Sequence, residues 1–365
     1  MNNKVGIITF HKAISYGAVL QAYALQNFML KLGIDNEIVD YKCEYMINRY
    51  QKTLRRASNN AVKDFLWSLK TASGVRAGRK ATLEFDEKFL KMSRPYTKEN
   101  LAEARNEYKA FVTGSDQVWS PTCVGFDPAY FLTFAKPEQK YSYAASIAVK
   151  EYPDNLRDEF IKRISDFQGC SLREKSGAEI VRRLTGKNAV VNIDPTLLLD
   201  AREWDKIASD EKREPYIFLF NVLKPKRLID YAIKLAEEKD LKILYLNSRR
   251  PVKHKRIEYL NPVTADRFIG LIKNAEYVCT NSFHGNAFSI IYGKKFVVEN
   301  ETAALFNTRS QELMEYLGLA NRILSSSHTP DIDADYDLEP VRQRLEAERR
   351  KSAEYLSVLK TAPHN

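Results

Sequence analysis

No apolar run in the 365 residues approaches the roughly 18 that a membrane-spanning helix requires. Behind Lys4 comes VGIITF, with no hydrophobic signal segment or small-residue cleavage site after it, which sets a cytoplasmic expectation. Cysteine is scarce. The four, Cys43, Cys123, Cys170 and Cys279, are scattered with no close pair, so neither a zinc site nor a disulfide framework is implied and four buried free thiols are expected. No cluster of histidine and carboxylate stands at ligand spacing, so no metal site is expected. A nucleic-acid module or a repeated aromatic stacking platform is likewise absent, and nucleic acid is not an expected partner.

What is present describes an ordinary globular chain, 44% hydrophobic and 28% charged, long enough for two cores. The net charge of +10 is uneven: residues 42–109 hold 16 Lys/Arg against 8 Asp/Glu, a local +8. Within this excursion, residues 45–70 set Ile47, Tyr50, Leu54, Val62, Phe65, Leu66 and Leu69 at helical spacing with bases opposite. Three readings follow in order: a surface helix with a solvated basic face, a peripheral contact with an anionic membrane, and nucleic-acid binding.

Hydrophobic periodicity alternates between strand and helix. KVGIITF (4–10) reads as a strand, 16–33 as a helix closed by Gly33, and DNEIVDY (35–41) as the next strand, the opening of a βαβ unit. Further strands are expected at 108–114, 140–148, 169–174 and 188–193, with helices at 154–168 and 175–185. The pattern breaks around 195–214 and restarts with strands at 216–222, 241–247, 276–282 and 294–300 and helices at 225–239 and 264–275. A long charged helix at 338–360, anchored by Val341, Leu345, Leu356 and Leu359, closes the sequence and is expected to fold back on the first domain. The fold class is therefore α/β, with two Rossmann-like domains, 1–198 and 199–330, and a C-terminal helix in 331–365. Two such domains facing a cleft would collect the loops 11–17, 114–121, 146–148, 171–177 and 282–285.

The blocks SYGAVLQAYALQ (15–26), FVTGSDQVWSP (111–121), YSYAASIA (141–148), SLREKSGAEIVRRLTG (171–186), NIDPTLLLD (192–200) and SFHGNAFSIIYGKKFVV (282–298) together resemble the polysaccharide pyruvyl transferase family. They arrive in the family's order across roughly 4–320, and six in order are far more specific than a lone GSD or FHG. The resemblance implies a glycosyltransferase-B-like fold. It implies transfer of an enolpyruvyl unit from phosphoenolpyruvate, the donor substrate, to a sugar of a cell-surface polysaccharide or its lipid-linked precursor, with no further cofactor. Two positions depart from the family: Ser15 stands where many members have Asn, and Ser282 where several have Arg.

Ketal formation requires protonation of an enol carbon, two hydroxyl additions and loss of phosphate, so the minimum equipment is a proton shuttle and a positive pocket. His284 is the shuttle candidate, in the first turn of a helix that Ser282 would cap, where the dipole disfavours an added positive charge by about 0.3–1 kcal/mol. The same turn offers backbone N–H groups, and Gly285 would let an anion approach. Arg173 and Arg309 are the candidate anion binders, able to grip carboxylate or phosphate through two parallel bonds. Asp116, after a strand, is a candidate acid or orienter of acceptor hydroxyls, or else a turn-stabilising residue, with Ser115 and Gln117 beside it. Ser15, Tyr16 and Gly17, entering a helix, could hold an anion or a sugar hydroxyl. Trp119 could present a flat face to a sugar or belong to the core.

Two rivals remain open at this level. A nucleotide-sugar glycosyltransferase would use the same paired domains. A basic surface-binding protein acting through 42–109 would bind anionic vesicles or nucleic acid in a steeply salt-dependent way.

Overall fold

The computed structural model describes residues 3–47, 61–123, 125–222, 226–246, 252–300 and 308–362, without the side chains of 61–71 and 308. The amphipathic stripe expected at 45–70 lies largely outside them: 48–60 fall in the first gap, and no side chain from 61 to 70 is described. The chain divides into two units, Met1–Leu198 with Glu348–Asn365, and Leu199–Ala347.

The first unit is built on seven parallel strands: β1 (Val5–Ile8), β2 (Asn36–Tyr41), β3 (Met92–Tyr96), β4 (Ala110–Asp116), β5 (Lys140–Ala145), β6 (Ser171–Leu172) and β7 (Val190–Val191). Their order is β3-β2-β1-β4-β5-β6-β7. Parallel neighbours need long crossovers, which is why helices α1 (Tyr16–Lys31), α2 (Ala61–Phe89), α3 (Asp154–Ile164) and α4 (Lys175–Thr185) separate strands. All four residues of β1 are buried, because helices cover both faces of such a sheet and its central strands become continuous apolar runs. Trp119 lies in the core, fully buried, stacked on Phe131 at 6.0 Å with its Nε1–H donated to the Tyr130 carbonyl. Its sugar-facing alternative is thereby removed.

The second unit repeats the plan with six strands. It contains the short helix α5 (Ala201–Trp204), β8 (Tyr216–Phe220), α6 (Lys226–Glu238), β9 (Lys242–Leu246), β10 (Ile257–Leu260), α7 (Ala265–Lys273) and β11 (Tyr277–Thr280). α8 (Phe283–Ile291), β12 (Lys295–Glu299), α9 (Thr308–Leu317) and β13 (Ile323–Leu324) follow. The order is β10-β9-β8-β11-β12-β13, again parallel throughout. Phe218, Phe220, Phe268, Phe288 and Trp204 interlock edge to face beside α8; the Trp204 and Phe288 rings lie 4.9 Å apart.

The last helix, α10 (Leu338–Ser357), begins in the second unit and ends in the first. Val341, Leu345, Leu356 and Leu359 are all buried. In the first unit, the Tyr143 hydroxyl donates to Ser352 Oγ at 2.9 Å, and the Tyr355 hydroxyl donates to the Ser142 carbonyl at 2.8 Å.

Cys43, Cys170 and Cys279 are buried free thiols, whereas Cys123 is only half-buried. Burial pushes Cys43 and Cys170 up to about 11 and Cys279 to about 12, which leaves almost no thiolate near neutral pH. Among the described residues no helix is long and apolar enough to cross a membrane.

Candidate active site

In an open parallel sheet, ligands bind beyond the carboxyl ends of the strands where the strand order reverses. That point falls between β1 and β4 in the first unit and between β8 and β11 in the second. The candidates from sequence sit at or beside these two points.

In the first unit, β1 runs out into the loop 9–15, and Ser15 occupies the N-cap of α1 without a side-chain capping bond. Ser15 is exposed, Tyr16 half-buried and Gly17 buried. The loop is braced by two residues not singled out from sequence. His11 approaches Asp40 Oδ1 through Nε2 at 3.3 Å and the Thr9 carbonyl through Nδ1 at 3.1 Å, and Lys12 pairs with the same Asp40 oxygen. Burial works to raise the Asp40 carboxyl, but the bonds from His11 and Lys12 outweigh it and hold the group down at about 2.

At the end of β4, Asp116 adopts φ 71°, a left-handed conformation that costs a non-glycine residue about 1–2 kcal/mol. Its neighbours enforce it. The Asp116 carbonyl accepts from Val118 N–H at 2.8 Å and Ser146 N–H at 2.9 Å, and Oδ1 accepts from Gln117 N–H at 2.9 Å. The turn-stabilising role is thus present, yet the Asp116 side chain keeps 19% exposure.

Arg173, following β6, donates from Nη1 to Asp194 Oδ2 at 2.7 Å and holds Nη2 at 3.6 Å from Asp116 Oδ1. Its side chain is 2% exposed. Burial opposes its charge, but Asp194, Asp116 and Glu174 outweigh that and hold the guanidinium above its ordinary value. Three carboxylates around one guanidinium give a formal charge of −2, a poor seat for a second anion. Glu174 does something else: Oε1 accepts from Ser146 Oγ at 3.0 Å, Ile147 N–H at 2.8 Å and Ala148 N–H at 3.1 Å, gripping a loop whose Ala148 is also left-handed at φ 53°. Ser115 is fully buried, its hydroxyl 3.4 Å from Asp194 Oδ2. Ser115, expected to contact substrate, sits in this network. Gln117 is buried at the turn.

In the second unit, β11 ends at Thr280, Asn281 follows, and Ser282 caps α8 in extended conformation, its Oγ accepting from Gly285 N–H at 3.4 Å. The expected cap is present, but it uses the very N–H expected to receive an anion. The lack of a side chain at Gly285 has a packing cause: a Cβ there would stand 2.5 Å from Thr280 Oγ1, which is itself tied to the Phe220 carbonyl at 2.7 Å. His284, the residue before Gly285, is half-buried, its ring edge-to-face with Phe283 at 5.2 Å. The Arg309 guanidinium, from the first turn of α9, lies 5.8 Å from the centre of that same Phe283 ring. Arg309 is half-buried, and its Nε has no hydrogen-bond acceptor among the described residues. The structure thus groups Ser282, Gly285, His284 and Arg309 in one unit, and Asp116, Ser115, Gln117 and Arg173 in the other, with Ser15, Tyr16 and Gly17 on a separate loop of the first.

The fold and the two strand-order reversals define a class: two parallel-sheet α/β domains of the glycosyltransferase-B type. Solved structures share it. A UDP-GlcNAc 2-epimerase from Methanocaldococcus jannaschii matches with TM-score 0.50 and 14% identity over 94% of this chain and 92% of that one. A protein described as a UDP-N-acetylglucosamine 2-epimerase from Listeria monocytogenes matches with TM-score 0.51 and 11% identity over 98% and 91%. At these identities the likeness is one of fold. No curated protein matches the chain. Residues 16–300 match the polysaccharide pyruvyl transferase family model, and the chain belongs to that family.

Proposed function

We propose that this chain moves the enolpyruvyl group of phosphoenolpyruvate onto a sugar and closes it as a pyruvate ketal. The observation that supports this most is the convergence of His284 and Arg309 on Phe283 at the capped start of α8, which joins a proton-accepting group to a cation at the end of β11. Chemically, the methylene carbon of the donor takes a proton and its C2 becomes electrophilic. One sugar hydroxyl bonds to C2 and gives up its proton, the C2–O bond to phosphate breaks, and a second hydroxyl adds and loses its proton. Of the two protons released, one balances that taken by the methyl carbon and the other leaves with phosphate. His284 receives a hydroxyl proton, and Arg309 balances the donor's negative charge. Arg173, already matched by carboxylates, positions the Asp116 turn instead of binding the donor, and Asp116 is the second proton-handling candidate. The acceptor belongs to a surface polysaccharide or its lipid-linked precursor, met in the cytoplasm at the membrane face.

The test is thermal denaturation of wild type and Arg309→Ala with phosphoenolpyruvate. A ligand at about 100 times its Kd stabilises by roughly 2.7 kcal/mol, so a clear rise is expected in wild type and its loss in the variant. A rise with nucleotide sugars but none with millimolar phosphoenolpyruvate would sink this reading in favour of a nucleotide-sugar glycosyltransferase.

A further inference from the structure

Left-handed backbone is unevenly distributed in this chain. Of the six non-glycine residues that adopt it among the described residues, three, Asp116 (φ 71°), Ala144 (φ 47°) and Ala148 (φ 53°), lie at the ends of the neighbouring strands β4 and β5. Such strain persists only where the surroundings over-determine it, and it gathers at functional sites. Here the bracing comes from one short segment, β6 and the two residues that follow it. Ser171 Oγ accepts from Ala144 N–H at 3.0 Å, Arg173 holds Nη2 at 3.6 Å from Asp116 Oδ1, and Glu174 Oε1 accepts from Ala148 N–H at 3.1 Å.

Glu174 forgoes a local role to do this. It is the N-cap of α4, where a side-chain oxygen ordinarily accepts from the helix's own first-turn N–H groups, yet it makes no capping bond. Its Oε1 reaches across to the neighbouring loop instead, taking Ser146 Oγ and Ile147 N–H as well as Ala148 N–H. Gly177, in the first turn of α4, leaves the space, since a Cβ there would stand 3.2 Å from that oxygen. The grip is passed on by a single residue. Ser146 N–H donates to the Asp116 carbonyl at 2.9 Å and the Ser146 carbonyl accepts from Trp119 N–H at 3.2 Å, so Ser146 is tied by its backbone to the Asp116 turn and by its side chain to Glu174.

Exposure separates the two carboxylates. Glu174 is 4% exposed and Ser146 0%, whereas the Asp116 side chain keeps 19%. Glu174 therefore acts only through its neighbours, and Asp116 is where this network meets solvent. We propose that Glu174 is a positioning residue: by holding the loop 146–148 it keeps Asp116 in the left-handed conformation that fixes its carboxylate at the end of β4. The value of this to turnover rests on the pyruvyl-transfer reading, in which Asp116 handles a proton; the hold itself does not.

The experiment uses the full chain and reads hold and turnover separately. In crystal structures of wild type and Glu174→Ala, residue 116 is expected to leave the left-handed region and the bond from Ser146 N–H to its carbonyl to break. An unchanged turn overturns the proposal whatever the protein catalyses. Turnover is followed as phosphate release from phosphoenolpyruvate with a sugar acceptor, in Glu174→Ala, Glu174→Gln, Asp116→Asn and the double variant of Glu174→Ala with Asp116→Asn. Glu174→Ala is expected to lower kcat by about tenfold or more while the KM for phosphoenolpyruvate moves less than about threefold. Glu174→Gln, which keeps an acceptor at Oε1, should stay within about threefold of wild type in kcat. In the Asp116→Asn background, Glu174→Ala should cost less than about twofold more, because residues that act as a unit are not additive. A full loss in that background, or a glutamine variant as poor as the alanine one, overturns the proposal. Should Glu174→Ala fail to fold, Ser146→Ala, which deletes one of the three bonds, takes its place with an expected loss of about two- to fivefold in kcat. No loss, or an equal loss with Asp116→Asn, overturns it there. Absence of phosphate release from wild type counts against the pyruvyl-transfer reading alone, since the crystal structures still decide the hold.

Discussion

The two sheets finish their carboxyl edges in opposite ways. In the first unit the edge is charged and bonded largely within itself: Arg173 meets Asp194 and Asp116, Glu174 Oε1 takes three hydrogen bonds while its Oε2 has none among the described residues, and two left-handed residues, Asp116 and Ala148, are held by these contacts. In the second unit the edge is mostly uncharged, with buried amides and one guanidinium nitrogen that lack partners among the described residues. The charged network spends most of its bonds on fixing backbone.

The largest effect that could break this contrast is on turnover. His284→Ala is expected to reduce activity by about 10²–10⁴-fold with the melting point little changed, measured as phosphate release from phosphoenolpyruvate in the presence of an acceptor. Near-normal turnover would remove His284 from the chemistry. Next comes the first unit's network: Arg173→Ala leaves Asp194 buried without its cation and should cost about 3–5 kcal/mol, read by urea unfolding. A loss below about 1 kcal/mol would show that the cluster is not held by this pair.

Asp86 on α2 is a buried carboxyl of the first unit without partners among the described residues, and it sharpens the comparison. It is fully buried, neither carboxylate oxygen has a partner among the described residues, and burial pushes it up to about 8. Lys12 works to lower it, while Asp40 and Glu87 raise it further. The folded value lies above the unfolded one, so the folded state holds the proton more tightly. Its stabilising contribution is complete below the unfolded carboxyl range near pH 4 and is lost progressively as pH rises towards 8. Asp86→Asn should therefore raise the melting point at pH 8 by on the order of 5 °C and change it little at pH 4; equal shifts at both would sink the assignment. The smallest effect belongs to the helix cap. Ser282→Ala should cost roughly 0.5–2 kcal/mol by freeing the Gly285 N–H, measured by chemical denaturation, and no loss at all would mean that the 3.4 Å contact contributes nothing.

Much of the alternation was legible because central parallel strands are apolar on both faces and their crossover helices end in ordinary signals. Gly33 stops α1 at φ 77°, and α4 coincides with the span read from sequence. The strands that escaped were at the margins. β3, with sequence MSRPY, is half-exposed and contains Pro95, and β10, with sequence IEYL, is no more buried, so neither carries an apolar run; both are edge strands. The site was legible where it depends on neighbours in sequence, as with Ser282 capping the turn of His284. It was not where a partner arrives through the sheet: Asp194 is 21 residues from Arg173, and nothing local announced that the guanidinium was already engaged. Gly285 illustrates a third case. Its smallness serves Thr280, five residues back, because strand and helix meet too closely there for a Cβ.

The last helix has a consequence for synthesis. The Ser352 hydroxyl, wholly buried, accepts from Tyr143 and from the Asn192 amide at 3.3 Å, so the first unit's sheet is closed by residues translated some 160 positions after β7. A nascent chain emerging from the ribosome must carry that gap, and whatever binds exposed apolar surface, through the whole of the second unit's elongation. The unit that begins first is the one completed last.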